Sequence, residues 1–291
     1  MTRPRGGLYC TGAVYRFPTK ARVDMRERGE RVRVVVLLAG LLLLAIVAAG
    51  CEDTTSLDDE ATISVPFQFQ QDATGRTAFQ LIGVNGEVVV TGVAEGESVV
   101  VSGFRRVVGC GQEDADVWID ELEVRVTETE DEIIVQTIQP VGTSPCTLVV
   151  DYELSVPQRL AGEIVNVNGP VSVTSLSGGV TVTSVNGPVT LDDGQGDTTV
   201  RLTNGAITAD LAIEAGETID LLTVNGEIDL SIPVTTSAIL SAILVNGTID
   251  LDNLTLSNAS TSSTSLTGTL GDGAGAILLR TTNGNISITG V

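Results

Sequence analysis

An all-β protein with a right-handed β-solenoid in its C-terminal half is the fold class predicted here, on three observations. An Asn-Gly pair recurs at Asn168-Gly169, Asn186-Gly187, Asn204-Gly205, Asn225-Gly226, Asn246-Gly247 and Asn283-Gly284, in steps of 18, 18, 21, 21 and 37 residues. Each pair precedes one alternating apolar pattern: Val171 and Val173, Val189 and Leu191, Ile207, Ile228 and Leu230, Ile249 and Leu251, Ile286 and Ile288. No aromatic residue follows Tyr152, so small and β-branched side chains must fill the interior of this half. Self-similarity with a period near 20 residues is the mark of a solenoid.

The chain opens with a segment of different character, residues 1–50, which holds nine of the sixteen basic residues and three acids. Arg26, Arg28, Arg31 and Arg33 precede an apolar run from Val34 to Ala49, shorter than the roughly 20 residues of a membrane-spanning helix. The run ends in Val47-Ala48-Ala49-Gly50-Cys51, which resembles the lipobox of a bacterial lipoprotein signal peptide, with Ala48 where Leu is commoner. The resemblance implies cleavage before Cys51 and a diacylglycerol on its thiol. The signal reads from Met25, the expected start, since residues 1–24 match no signal feature. Residues 51–60 then form an acidic tether.

Beyond residue 50 the chain has seven Arg, no Lys and 34 acids, a net charge of -27. Nucleic acid is excluded as a partner, because it requires a basic face. The absence of His removes imidazole-based triads and metal sites. With Cys10 upstream of the signal and Cys51 the lipid site, Cys110 and Cys146 remain as an expected disulfide in an oxidising compartment.

Residues 61–160 read as an N-terminal β region. Thr62–Val65, Phe67–Gln70, Glu87–Val90, Ser98–Val101, Glu123–Val126 and Ile133–Val135 are short alternating or β-branched runs. Asp114–Leu122 has helical spacing, with Trp118 and Leu122 four apart. Residues 161–291 are the repeats. Two or three strands of about five residues plus tight turns make one coil, and coils stack about 4.8 Å apart. Apolar residues point inward and Thr, Ser and Asp outward. A repeated Asn at one corner stacks its amide from coil to coil, and the following Gly supplies a positive φ. Asn168, Asn186, Asn204, Asn225 and Asn246 should therefore line one edge in chain order, each about 5 Å from the next. The 37-residue step reads as two periods with one pair missing. The competing architecture is an antiparallel meander or sandwich, since Asn-Gly is also a hairpin signal. Register favours the solenoid, because the pair returns once per two-strand unit, before the same type of strand.

The stretch Val150-Asp151-Tyr152-Glu153-Leu154-Ser155-Val156-Pro157, followed by Val167-Asn168-Gly169-Pro170-Val171 and Val185-Asn186-Gly187, resembles the bacterial "putative adhesin" domain-of-unknown-function family. Gly83-Val84-Asn85-Gly86-Glu87-Val88 and Glu121-Leu122-Glu123-Val124-Arg125-Val126 resemble its N-terminal part. The resemblance covers about residues 61–291. It implies a right-handed β-solenoid on the cell envelope and brings no catalytic or binding residues.

No constellation points to chemistry. Asp58-Asp59 and Asp192-Asp193 are neighbours that a strand would aim to opposite faces, so they read as solvated acids. Asp192–Asp197 and Gly271–Gly275 are rich in Gly and Asp but match no calcium loop, and read as turns. Cofactors, metal ligands and catalytic residues are expected to be absent. The expected protein is a non-enzymatic, lipid-anchored envelope solenoid that works in adhesion or as an interaction scaffold. Its partners are the membrane, through the anchor, and a protein or surface ligand that the sequence does not name. The outer membrane or cell surface is favoured over the inner membrane. The alternative function is a periplasmic protein-binding or envelope-signalling module.

Overall fold

The computed structural model describes residues 61–94, 96–140 and 145–291; the signal region, Cys51 and the tether lie outside the described residues. β1 (Ala61–Asp72) joins both alternating runs at its start into one strand. β2 (Ala78–Ile82) and β3 (Val88–Val93) flank Asn85-Gly86, and β4 (Ser98–Cys110) pairs antiparallel with β1. α1 (Gln112–Glu121) begins two residues before the expected Asp114, buries Ala115 and Ile119, and lies against β1 and β4. Trp118 is partly buried and packs against the core. β5 (Glu123–Glu128), β6 (Glu132–Ile138) and β7 (Thr147–Pro157) complete this half.

The repeats follow as strand pairs, each joined by an Asn-Gly corner. They are β8 (Ala161–Asn168) with β9 (Val171–Thr174), β10 (Val180–Asn186) with β11 (Val189–Gly194), and β12 (Thr198–Asn204) with β13 (Ile207–Leu211). β14 (Thr218–Asn225) with β15 (Ile228–Ile232) and β16 (Ala238–Asn246) with β17 (Ile249–Asp252) come next. β18 (Ser257–Thr261) and β19 (Ser265–Leu270) break the pattern, and β20 (Gly275–Asn283) with β21 (Ile286–Gly290) resumes it.

Each coil gives its first strand to a back sheet and its second to a front sheet. The front sheet runs β1-β4-β7-β3-β9-β11-β13-β15-β21-β17, and the back sheet runs β18-β19-β16-β20-β14-β12-β10-β8-β2-β6-β5. Through the repeats every neighbouring pair is parallel, so the chain coils rather than meanders. A coil has two strands, the lower of the two expected numbers, and both bury one face. Val182, Val200, Leu221, Ile277 and Leu240 of the back sheet and Val189, Ile207, Ile228 and Ile286 of the front sheet are fully buried between the sheets. A slip of one residue would turn this apolar set outward, so the period-2 pattern locks the register. The three extra residues of the step from Asn204 to Asn225 fall in the turn between β13 and β14, and Asn204 still pairs with Asn225.

Two features depart from chain order. At the C-terminal end, β20 and β21 insert between the β14/β15 coil and the β16/β17 coil. Asn225 therefore has Asn283 as its neighbour, and Asn246 is not next to Asn225 as chain order implied. The 37-residue step is not a hidden extra coil. It holds β18 and β19, which lie antiparallel along the outer edge of β16. At the other end, β2 and β3 form a coil that pairs with β8 and β9, and both sheets run without a break across residue 160. The chain leaves this coil for β4, α1 and β5, places β6 and β7 as a coil on its far side, and only then begins the repeats.

Antiparallel strands thus cover three of the four sheet ends: β5 and β1 at one end of the molecule, β18 and β19 at the other. Covering or blunting edges protects a long stack from adding further strands. β17, the uncovered end of the front sheet, is four residues long and carries Asp250 and Asp252, a short charged edge of the kind that discourages strand addition.

Candidate functional site

The corners form one continuous hydrogen-bonded row. Asn246 Nδ2 donates to Asn283 Oδ1 (2.8 Å), Asn283 to Asn225 (2.8 Å), Asn225 to Asn204 (2.8 Å), and Asn204 to Asn186 (2.9 Å). Asn186 donates to Asn168 (2.7 Å) and Asn168 to Asn85 (2.6 Å), and Asn85 Nδ2 closes the row on the Leu148 carbonyl (3.0 Å). All the amides point one way. Asn85 is a member that the 18- and 21-residue steps do not reveal, because 83 residues separate it from Asn168.

A second, inner row backs the first. Asn166 Nδ2 donates to the Gly86 carbonyl (3.1 Å), Thr223 Oγ1 to Gly205 (3.1 Å) and Thr281 Oγ1 to Gly226 (2.9 Å). These side chains sit two residues before an Asn-Gly pair and face the interior. Their polar atoms satisfy corner carbonyls that burial would otherwise leave without a partner. An Asn or Thr at a position that alternation assigns to the core was the signal available in the sequence.

The ladder is a structural device, and its loss should read as stability. Asn204→Ala removes one bond given and one received at an exposed corner and is expected to cost about 1–2 kcal/mol. Asn246→Ala, at the end of the row, loses one bond and should cost about half as much. Denaturant midpoints of the two variants check this; equal costs would mean that the amides are solvated individually.

Cys110 and Cys146 are joined by a disulfide, with Cα atoms 5.0 Å apart. It ties the end of β4 to the segment entering β7, close to the Leu148 carbonyl where the Asn row ends. Nearby, the Tyr152 hydroxyl lies 2.6 Å from Thr137 Oγ1, and burial pushes its pKa up to about 12. Asp192 faces outward from β11. Asp193 takes a positive φ of 52° at an irregularity within β11 and accepts from Ser175 Oγ at 2.9 Å. Among the described residues no cluster of three metal-ligating side chains occurs, and no helix is long and apolar enough to cross a membrane.

The outer faces of the two sheets differ in chemistry. From β9 to β17 the front sheet presents Ser172, Thr190, Thr208 and Thr289 together with Asp192, Asp210, Asp229, Asp250 and Asp252, with no basic residue on these strands. The back sheet presents an apolar group on β14, β20 and β16, where Val224 is 37% exposed, Leu278 36%, Ile243 47%, Ile239 57% and Val245 62%, while β10 and β12 turn Thr181, Thr183, Thr199 and Thr203 outward. In their midst Asp220 holds two guanidiniums, Arg201 and Arg280, the latter at 2.8 Å. Burial raises the Asp220 carboxyl, and the two arginines together bring it below the ordinary carboxylate value. Arg201 also donates to the Asp220 carbonyl at 3.0 Å.

The surface also carries open grooves. One of about 600 Å³ lies beside the free edge of β17, lined by Thr248, Ile249, Asp250, Ser262 and Leu266. Another of about 230 Å³ carries the exposed Phe104 with Glu87, Asp151 and Glu153. Asp151 is paired with Arg106. In the first groove Thr248 Oγ1 donates to Asp250 Oδ2 at 3.2 Å and lies 3.3 Å from Asn285 Oδ1.

Fold and surface together define a two-sheet parallel β-solenoid that presents broad faces. Residues 163–289 match the model of the family described as Toastrack DUF4097, and in this segment the chain is similar to that family. No curated protein matches the chain in sequence. A crystal structure of a "putative cell adhesion protein" from Clostridium sporogenes is similar at 13% identity and a TM-score of 0.38, over 78% of this chain and 100% of that one. A "putative lipid binding protein" from Parabacteroides distasonis is similar at 10% identity and a TM-score of 0.33, over 78% of this chain and 96% of that one. A "putative adhesin" from Bacteroides fragilis is similar at 12% identity and a TM-score of 0.27, over 80% and 99%.

Proposed function

We propose that this chain is a non-enzymatic interaction scaffold of the bacterial cell envelope, held by a lipid on Cys51 and acting in adhesion at the outer membrane or cell surface. The observation that carries the reading is the pair of regular outer faces that differ in charge, one acidic, the other charge-balanced with an apolar group on β14, β20 and β16, on a stack fixed by two polar rows. Such a body presents area and register rather than a reacting group. The basic-apolar-small sequence ahead of Cys51 and the acidic tether after it supply an anchor and a spacer.

Protease applied to intact cells tests the location. Residues 61–291 should be lost from the cells while a periplasmic marker survives. Protection of the chain until the outer membrane is opened would replace the adhesin with the periplasmic binding or signalling module. Cys51→Ser should leave the precursor unmodified and uncleaved; a variant processed and membrane-bound like the natural protein would overturn the lipid anchor.

A further inference from the structure

The uneven charge of the two outer faces points to a specific partner for one of them. We infer that the outer face of the back sheet, from β8 to β16, is a self-association surface on which a second copy of this chain docks face to face. The inference rests on the reading of the chain as an interaction scaffold and names the partner of one face.

Three observations carry it. The first is the apolar content. Leu222, Val224, Leu278, Ile239, Ile243 and Val245 point away from the core on adjacent strands β14, β20 and β16. Leu278 stands diagonally beside Leu222 and Ile243, with Arg280 between the latter two, so the apolar side chains form a group rather than isolated residues, and such groups mark interaction sites. The second is charge. The described chain is strongly acidic, yet the charges that β8, β10, β12, β14, β20 and β16 turn outward are Glu163, Asp220, Arg201 and Arg280, which cancel. The front sheet carries six aspartates, Asp193 among them, and no cation on the matching strands, so two copies repel through that face and meet without repulsion through the back one. The third is size. Six strands about 4.8 Å apart and about 20 Å long give a flat area of roughly 500–600 Å² per copy, so about 1,100 Å² in a pair, the lower bound for a specific interface.

The fold makes the face suitable for this. Parallel coils in fixed register hold the outward side chains in rows, and two sheets can stack face to face at about 10 Å. The guanidinium of Arg280, with 45% of its side chain exposed, retains donors beyond those given to Asp220. These can be offered across the interface.

The test is the mass of the intact mature chain in mild detergent, by sedimentation with the detergent density-matched. A dimer at micromolar concentration is expected. Ile243→Asp with Leu278→Asp should raise the dissociation constant at least tenfold with an unchanged melting midpoint, and Asp192→Ala with Asp210→Ala on the front sheet should leave the dimer intact. If the back-face double variant misfolds, Ile243→Ser with Leu278→Ser gives the same reading with milder changes. A monomeric natural protein overturns the inference, as does a dimer that survives the back-face variants or is broken by the front-face ones. A monomer that binds anionic lipid vesicles, and loses binding in the back-face variants, assigns this face to the membrane and also overturns it. Protease accessibility reads location independently, so a monomer leaves the adhesin reading standing.

Discussion

Replacing Gly205 by Ala is expected to cost about 3 kcal/mol or more, through strain at positive φ added to a collision that the stack cannot relax. Gly205 has φ of 148°, and a Cβ built there would lie against the carbonyl of Gly187 in the neighbouring coil, closer than a carbon and an oxygen can approach. The next coil cannot retreat, because its spacing is set by backbone hydrogen bonds on both sheets. Two other glycines separate the causes. Gly226 lacks the left-handed φ, contrary to the simple reading of an Asn-Gly corner, yet its Cβ would strike the Gly205 carbonyl. Gly226→Ala should therefore remain costly, at about 2 kcal/mol or more. Gly216 has φ of 89° and open space around it, so Gly216→Ala should lose only about 1 kcal/mol. Denaturant unfolding of the three variants checks the ranking. If Gly216→Ala costs as much as Gly205→Ala, backbone conformation and not coil spacing selects glycine at the corners.

Loss of the disulfide is the second large expected effect. The bridge spans 36 residues, and a loop of that length contributes about 3–4 kcal/mol in the chain-entropy model. It joins the end of β4 to the residue just before β7, and these two strands are themselves paired antiparallel on the capping side of the first coils. Reduction should loosen this end before the repeats, since local opening begins where fewest coils support a strand. The Cys110→Ser, Cys146→Ser double variant should show a lower denaturant midpoint than the natural chain and earlier proteolysis between residues 111 and 145. Midpoints that agree under reducing and non-reducing conditions would show that strand pairing alone holds the cap.

The repeats were legible because one physical constraint was written many times. Val-Asn-Gly corners and alternating Val, Ile and Leu repeat at nearly equal steps, and a stack of equivalent coils permits only one angular position for each corner. Asn168 through Asn225 therefore fall in chain order. The order fails at Asn246 because β14, β16 and β20 carry interchangeable patterns. Their backbones hydrogen-bond equally well to one another, so local sequence cannot state which is the neighbour of which. The excursion of β18 and β19, and the distance the returning strand can reach, decide that β20 enters between them.

The same limit applies to the first coil. Asn85-Gly86 is an ordinary Asn-Gly corner, but the long excursion through β4, α1, β5, β6 and β7 hides its partnership with Asn168. The inner polar row was half visible: Thr223 and Thr281 stand where alternation demands an apolar residue, but only the stacked coils show the carbonyls they serve. The outward pattern of each strand was also visible, strand by strand. That Leu222, Leu278 and Ile243 group around the Asp220–Arg280 pair while the unpaired aspartates gather on the opposite face was not, because it depends on which strands are neighbours.

Sequence alone therefore determined the coil, its period, its inward and outward residues and the corner chemistry, all properties set within about 20 residues by side-chain alternation and turn conformation. Tertiary structure decided the order of coils at the two ends, the full length of the Asn row and the contrast between the faces. Strand pairing is made by backbone groups common to every residue, so its partners are chosen by connection and packing across the whole chain.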